Sequence, residues 1–139
     1  MVFGAAVGYL GPLSGPSLSV GSAPIRQGTY SAIESLTVTD SGTGTIGSFV
    51  VTTTDAPATA EYCYYLESPE SGTVLATNCP PTATDPGSVL VGTSIRPGET
   101  VVVELLITGD NFGLGSEHLI SVTSSSGAQA STEALVVPG

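Results

Sequence analysis

The chain has 139 residues with 18 Gly, 10 Pro, no Trp, and only Arg26 and Arg96 as cations against twelve carboxylates, for a net charge of -10. Nucleic acid is excluded as a partner, because neutralising phosphates and releasing their counterions needs clustered Lys and Arg. Intrinsic disorder is excluded too: 40% of the residues are apolar, only 10% are charged, and the apolar ones alternate along the chain. Small and β-branched residues on this scale favour short strands joined by tight turns. A hydroxyl-rich, lysine-free surface suits an extracellular or virion setting.

Residues 1–13 carry no charge and stop at Pro12 and Leu13. The stretch is too short to cross a bilayer, which takes about 20 apolar residues, and it lacks the basic start of a signal peptide. Read as a helix, Gly4 and Gly8 make a small-residue surface for close helix approach, with Val2, Phe3, Val7 and Leu10 around it. Read as a strand, Phe3, Ala5, Val7 and Tyr9 line one face and suit addition to a neighbour's sheet. An ordinary first strand of its own domain is the plainer alternative. Residues 11–22 read as a Gly-Pro linker running into a short strand at 18–20, which divides the chain into an assembly arm and linker (1–17) and a globular domain (18–139).

Strands are expected at 32–39, with Leu36 and Val38 inward, and at 46–54, with Phe49 and Val51 on one face. The Gly-containing loop between them signals a hairpin. In 59–67, Ala60, Tyr62, Tyr64 and Leu66 face one way and Glu61, Cys63, Tyr65 and Glu67 the other. The tyrosines read as packing residues. Glu61, Glu67 and Glu70 have no spacing that would set two of them across a cleft as an acid/base pair. A strand at 73–77 lets Cys79 reach back to Cys63. As a disulfide the pair contributes on the order of 3 kcal/mol and points away from a reducing compartment. Two buried free thiols are the alternative, and structural zinc would want four ligands.

A brief strand at 89–91 precedes the strongest signal in the chain. Arg96-Pro97-Gly98-Glu99 has the chemistry of a type II turn, with Pro presetting φ and Gly free to take positive φ. From there Val101, Val103, Leu105 and Ile107 face one way, and Val102, Glu104 and Leu106 the other. The first set belongs in a core. The second is unusually apolar for an exposed face and marks a candidate contact surface between subunits. Asp110, Asn111 and Glu117 are fragments of a calcium loop without its full ligand spacing, and an Asx-stabilised turn accounts for them as well. Strands at 118–123 and 129–137 close the domain. His118 alternates with Ile120 and Val122 as a half-buried strand residue, with no serine or cysteine nucleophile in a recognisable setting. No Asn-x-Ser/Thr sequon and no phosphate-binding Gly loop is present. About seven to nine short antiparallel strands with a turn every 8 to 12 residues is the pattern of an all-β, immunoglobulin-like sandwich preceded by an apolar arm.

Three stretches carry a resemblance: Ser35-Leu36-Thr37-Val38-Thr39-Asp40-Ser41-Gly42 with Thr45-Ile46 after it, Ile95-Arg96-Pro97-Gly98-Glu99-Thr100-Val101, and His118-Leu119-Ile120-Ser121-Val122-Thr123-Ser124-Ser125-Ser126-Gly127. Through them, residues 18–137 resemble the globular domain of archaeal surface-filament subunits, the type IV pilin and archaellin group. Such domains are immunoglobulin-like sandwiches that coat a filament whose core is a long apolar helix. Here residues 1–10 stand where that helix would be. A shortened helix, a strand donated to a neighbour, or a non-filament protein such as a virion decoration subunit are the three readings of that departure; an initiator-like Met1 favours the last, and the apolar arm with the hydroxyl-rich, lysine-free surface favours the first two. The resemblance implies a non-enzymatic, extracellular, cell-surface subunit that polymerises with itself through Val2, Phe3, Gly4, Val7, Gly8, Tyr9 and Leu10. Virion decoration or adhesion to a cell surface or glycan is the alternative. No cofactor and no small-molecule substrate is expected.

Overall fold

The computed structural model describes residues 17–29, 31–55, 61–77, 79, 88–108 and 112–139. These are all β, in ten strands: β1 (Leu18–Ser22), β2 (Ile25–Gln27), β3 (Ser31–Asp40), β4 (Phe49–Thr53), β5 (Glu61–Glu67), β6 (Val74–Thr77), β7 (Ser88–Val91), β8 (Thr100–Thr108), β9 (Glu117–Ser124) and β10 (Gln129–Pro138).

Hydrogen bonding runs β6-β5-β8-β3-β2-β10-β9-β4-β7, with β1 paired to β3 beside β2. The path folds into two leaves. One holds β1, β2, β3, β8, β5 and β6, the other β10, β9, β4 and β7. Both leaves feed one apolar core, in which Leu36, Val103 and Leu105 of the first meet Phe49, Ile120 and Val122 of the second, all fully buried. This is the immunoglobulin-like sandwich that the alternation predicts. Two details differ. The first strand is split, which raises the strand number to ten, and β2 pairs with β10 in parallel through Val136 opposite Ile25 and Val137 opposite Arg26. The crossing at residues 22–24 carries the chain from the β1 line to the β2 line, and so from an antiparallel partner in one leaf to a parallel one in the other.

The strand after the type II turn is central. β8 pairs along nearly its whole length with β3 on one side and β5 on the other. Gly98 takes φ +84 and the Glu99 amide donates to Arg96 O at 2.9 Å, so the turn forms as its residues require. Asp40, fully buried at the end of β3, holds that turn in place: its amide donates to Glu99 O at 3.0 Å and its carbonyl accepts from Gly98 N at 2.8 Å.

One expected connection is absent. β3 and β4 do not form a hairpin but lie in different leaves. The loop between them is drawn across the end of the sandwich by Ile46, which makes an isolated antiparallel bridge with Ile95. Both isoleucines are fully buried, so core burial, not the loop's length, decides where the chain goes.

Candidate functional site

The outward face of β8 is the first place to test. Val102 stands opposite Thr37 and Glu67, Glu104 opposite Ser35 and Tyr65, and Leu106 opposite Ile33 and Cys63. All three outward residues are half-buried by these neighbours. The face is a shallow, partly covered apolar band with Glu104 at its centre. Cys63 lies on the same side and is fully buried, because Cys79 bonds to it. The register that opposes Tyr65 with Thr77 carries on to oppose Cys63 with Cys79, whose Cα atoms are 5.0 Å apart. A Thr77 hydroxyl bonded to Tyr64 O at 2.8 Å and accepting from the Cys79 amide at 3.0 Å continues the pairing past the end of β6. The disulfide is therefore a cross-strand staple between β5 and β6.

The two ends of the sheet path expose apolar side chains. Val74 and Leu75 of β6 are 48% and 58% exposed, and Leu90 of β7 is 61% exposed. Among the described residues β6 pairs only with β5, and β7 only with β4. Beside β6 an open groove of about 500 Å³ is lined by Glu70, Leu75, Ser94, Glu99 and Thr100. Glu99 is engaged there by the exposed Arg96 guanidinium at 2.9 Å, which holds its carboxyl below the usual range.

His118 is more enclosed than its alternation suggests, at 4% exposure. Its Nδ1 donates to Thr54 O at 2.8 Å, since a carbonyl can only accept, and Nε2 lies 2.9 Å from Ser116 Oγ. A Ser–His pair is thus present that the sequence reading missed for want of any motif. It is a clasp. Ser116 Oγ also lies 2.7 Å from Gly113 O and 3.0 Å from Phe112 O, and the Phe112 ring stacks edge-on against the imidazole at 4.9 Å. A nucleophilic serine needs its oxygen open to a substrate and its proton aimed at the base. Here two carbonyls compete for that proton. Buried Gln27 completes the cluster, donating to Gly28 O and Ser31 O and accepting from the Phe112 amide at 3.1 Å.

Of the carboxylates, Glu61 and Glu67 sit at opposite ends of β5, about 20 Å apart at strand rise, beyond the reach of an acid/base pair. Glu117 opens β9 with its side chain exposed. Its companions in the calcium fragment, Asp110 and Asn111, lie outside the described residues, as do Ala60 and all of the arm residues Val2, Phe3, Gly4, Val7, Gly8, Tyr9 and Leu10. Among the described residues no group of three His, Cys, Asp or Glu side chains could hold a metal ion.

The carboxyl that matters most was not singled out by the sequence. Glu34 is fully buried and faces the core from β3, in line with Ala32, Leu36 and Val38. Its Oε2 bonds to Ser22 Oγ at 2.7 Å, while Oε1 is buried without a hydrogen-bond partner. Burial pushes its pKa up from 4.5 to about 7, against the opposing pull of the Ser22 hydroxyl and the Ser35 backbone. The alternation that places Leu36 and Val38 inward places Glu34 inward as well, and that was the available signal.

No protein-family model matches the chain, and no curated protein matches it. Among solved structures it is similar to a DUF4466 family protein from Parabacteroides merdae, with TM-score 0.52 and 17% identity over 88% of this chain and 44% of that one. The chain thus spans less than half of that protein. It is also similar to the N-terminal domain of PorA, with TM-score 0.40 and 9% identity over 90% of this chain and 99% of that one. At such identities the first likeness speaks of the fold alone, and the second carries no further weight.

Proposed function

We propose that this protein is a non-enzymatic structural subunit of an extracellular, pilus-like filament, an immunoglobulin-like domain that polymerises through its apolar N-terminal arm. The observation that carries the reading is the pair of apolar sheet ends: Val74 and Leu75 on β6 and Leu90 on β7 face solvent on short edge strands. An unpaired edge with apolar side chains is a template for a strand from another copy, and proteins that stay monomeric usually blunt such edges with charge. The arm has the matching composition, with Val2, Phe3, Val7, Tyr9 and Leu10 and no charge. Burying roughly 300 to 500 Å² of it at ~25 cal/mol/Å² offers on the order of 10 kcal/mol before ordering costs. The half-buried band of Val102, Glu104 and Leu106 is a second contact between neighbouring domains. A staple between β5 and β6 suits an oxidising exterior.

Light scattering and electron microscopy of the full chain test this directly: long fibres support it, and a monodisperse monomer at high concentration counts against it. A second reading, an adhesion or virion-decoration module, is favoured by the open groove beside β6, whose hydroxyls and carboxylates suit hydrogen bonding to a polyol. Glycan binding by a protein that stays monomeric would select it.

A further inference from the structure

The only side chain that ties down the crossing at residues 22–24, among the described residues, is the Ser22 hydroxyl. Ser22 Oγ lies 2.7 Å from Ala23 O and 2.7 Å from Glu34 Oε2. A hydroxyl has a single proton, and a backbone carbonyl has none to give. One proton shared between two acceptors makes at best two bent, weakened bonds. Both contacts are satisfied when Ser22 donates to Ala23 O and Glu34 donates to Ser22, that is, when Glu34 is a neutral carboxylic acid. The rest of the site agrees. Among the described residues Oε1 is buried with no hydrogen-bond partner and no cation pairs with the group, so only the Ser22 hydroxyl and the Ser35 backbone favour the charged form, and burial outweighs them.

No charged side chain stands beside Glu34 in its row of the leaf. In its own row across the leaf, Leu105 of β8 is its neighbour and Tyr64 of β5 lies beyond. Tyr62 of β5 and His118 of β9 also point to the core, and Asp40 faces inward at the far end of β3. Arg26 of β2 and Glu133 of β10 are exposed. On the solvent side, Ala23 and Pro24 are exposed, and Ala23 is tied down by its amide, which donates to Ser35 O at 3.0 Å. Lifting this short crossing would carry Ser22 away and open that side of the carboxyl to water.

We infer that Ser22 and Glu34 form a proton-operated latch, which locks the crossing between β1 and β2 onto β3 while the carboxyl keeps its proton and frees the crossing when the proton leaves. Ionisation replaces a donor by an uncompensated buried charge, and the crossing opens to hydrate it. The sign follows from the raised carboxyl: the closed latch binds a proton that the open one releases, so closure is complete in acid and is lost as pH rises toward and past about 7. The switch concerns the crossing between β1 and β2 within the sandwich and stands apart from what the arm binds.

Amide hydrogen exchange on the full chain reads the latch at Ala23. Corrected for the intrinsic pH dependence of exchange, protection of the Ala23 amide falls on the order of a hundredfold between pH 5 and pH 8. The loss is insensitive to low urea, which marks local opening, and it disappears in Glu34→Gln, whose amide donates to Ser22 at every pH. Protection that is flat with pH, equal pH dependence in Glu34→Gln, or a urea-dependent loss shared with the Ile46 amide overturns the inference. Should Glu34→Gln fail to fold, the carboxyl carbon shift of Glu34 in the unaltered protein decides: a midpoint near 7 supports the latch, and one near 4.5 overturns it.

Discussion

Ile46 and Ile95 exchange both backbone hydrogen bonds, each amide donating to the other's carbonyl at 2.8 Å, with both side chains at 0% exposure. This one bridge ties the loop after β3 to the residue just before the type II turn. It fixes the turn's position and hence the entry of β8 into the centre of its leaf. Ile95→Ala removes a fully buried side chain without touching the backbone bonds. The expected cost is about 2 to 5 kcal/mol, measured by urea denaturation, with the slope of the transition unchanged.

Gly98 and Gly92 make a matched pair. Neither has an atom within 4 Å of where a Cβ would stand, but only Gly98 holds positive φ. Gly98→Ala should destabilise by about 1 kcal/mol, from backbone strain alone. Gly92→Ala should be neutral or slightly stabilising in the same thermal melts.

Reduction tests the staple. Replacing both Cys63 and Cys79 with Ala should lower stability by about 2 to 4 kcal/mol while leaving the sandwich folded, because the core lies on the other face of β5. Calorimetry of the double variant against the oxidised parent checks it, and circular dichroism should show the strand content kept.

Global stability should fall as pH rises through the weakly acidic range. Glu34 is carried from 4.5 to about 7 by folding, so the native state holds a proton that the unfolded chain releases across that window. Stability from this group is full below about 4.5 and is lost by about 7, a change of about 3 kcal/mol. Self-repulsion at a net charge of -10 acts in the same direction. Tyr62, pushed up to about 12 by burial against the opposing pull of the Thr53 side chain, adds a second loss between pH 10 and 12. Urea midpoints should fall from pH 4.5 to 7 in the parent, and fall less in Glu34→Gln.

His118→Phe separates clasp from catalyst. It keeps the ring against Phe112 but leaves Thr54 O without its donor, and a loss of about 1 to 3 kcal/mol is expected. Ester hydrolysis abolished by this change would contradict the structural role.

Strands with strict alternation were legible in the sequence. Val101, Val103, Leu105 and Ile107 are buried as their spacing requires, and so are Ile120 and Val122. The type II turn and the cysteine pair were legible for the same reason, that local chemistry decides them. What was hidden depends on distant parts of the chain. β2 has three residues, too few for a period, and is made by pairing with β3 and β10. The loop at 41–45 looks like a hairpin until Ile95, far along the chain, captures Ile46. Gln27 and the stretch from Phe112 to His118 converge from two distant segments with no shared motif. Glu34 was readable from its position in β3, but its meaning came only with the hydroxyl of Ser22 beside it.

Deleting residues 1–10 tests the central proposal most directly, with negative-stain electron microscopy of the full-length and shortened proteins prepared alike. The full chain should form fibres, and the shortened one should remain a folded monomer, with its edge strands intact and no arm to fill them. Fibres of undiminished length from the shortened protein, or none from the full chain, would contradict assembly through the arm.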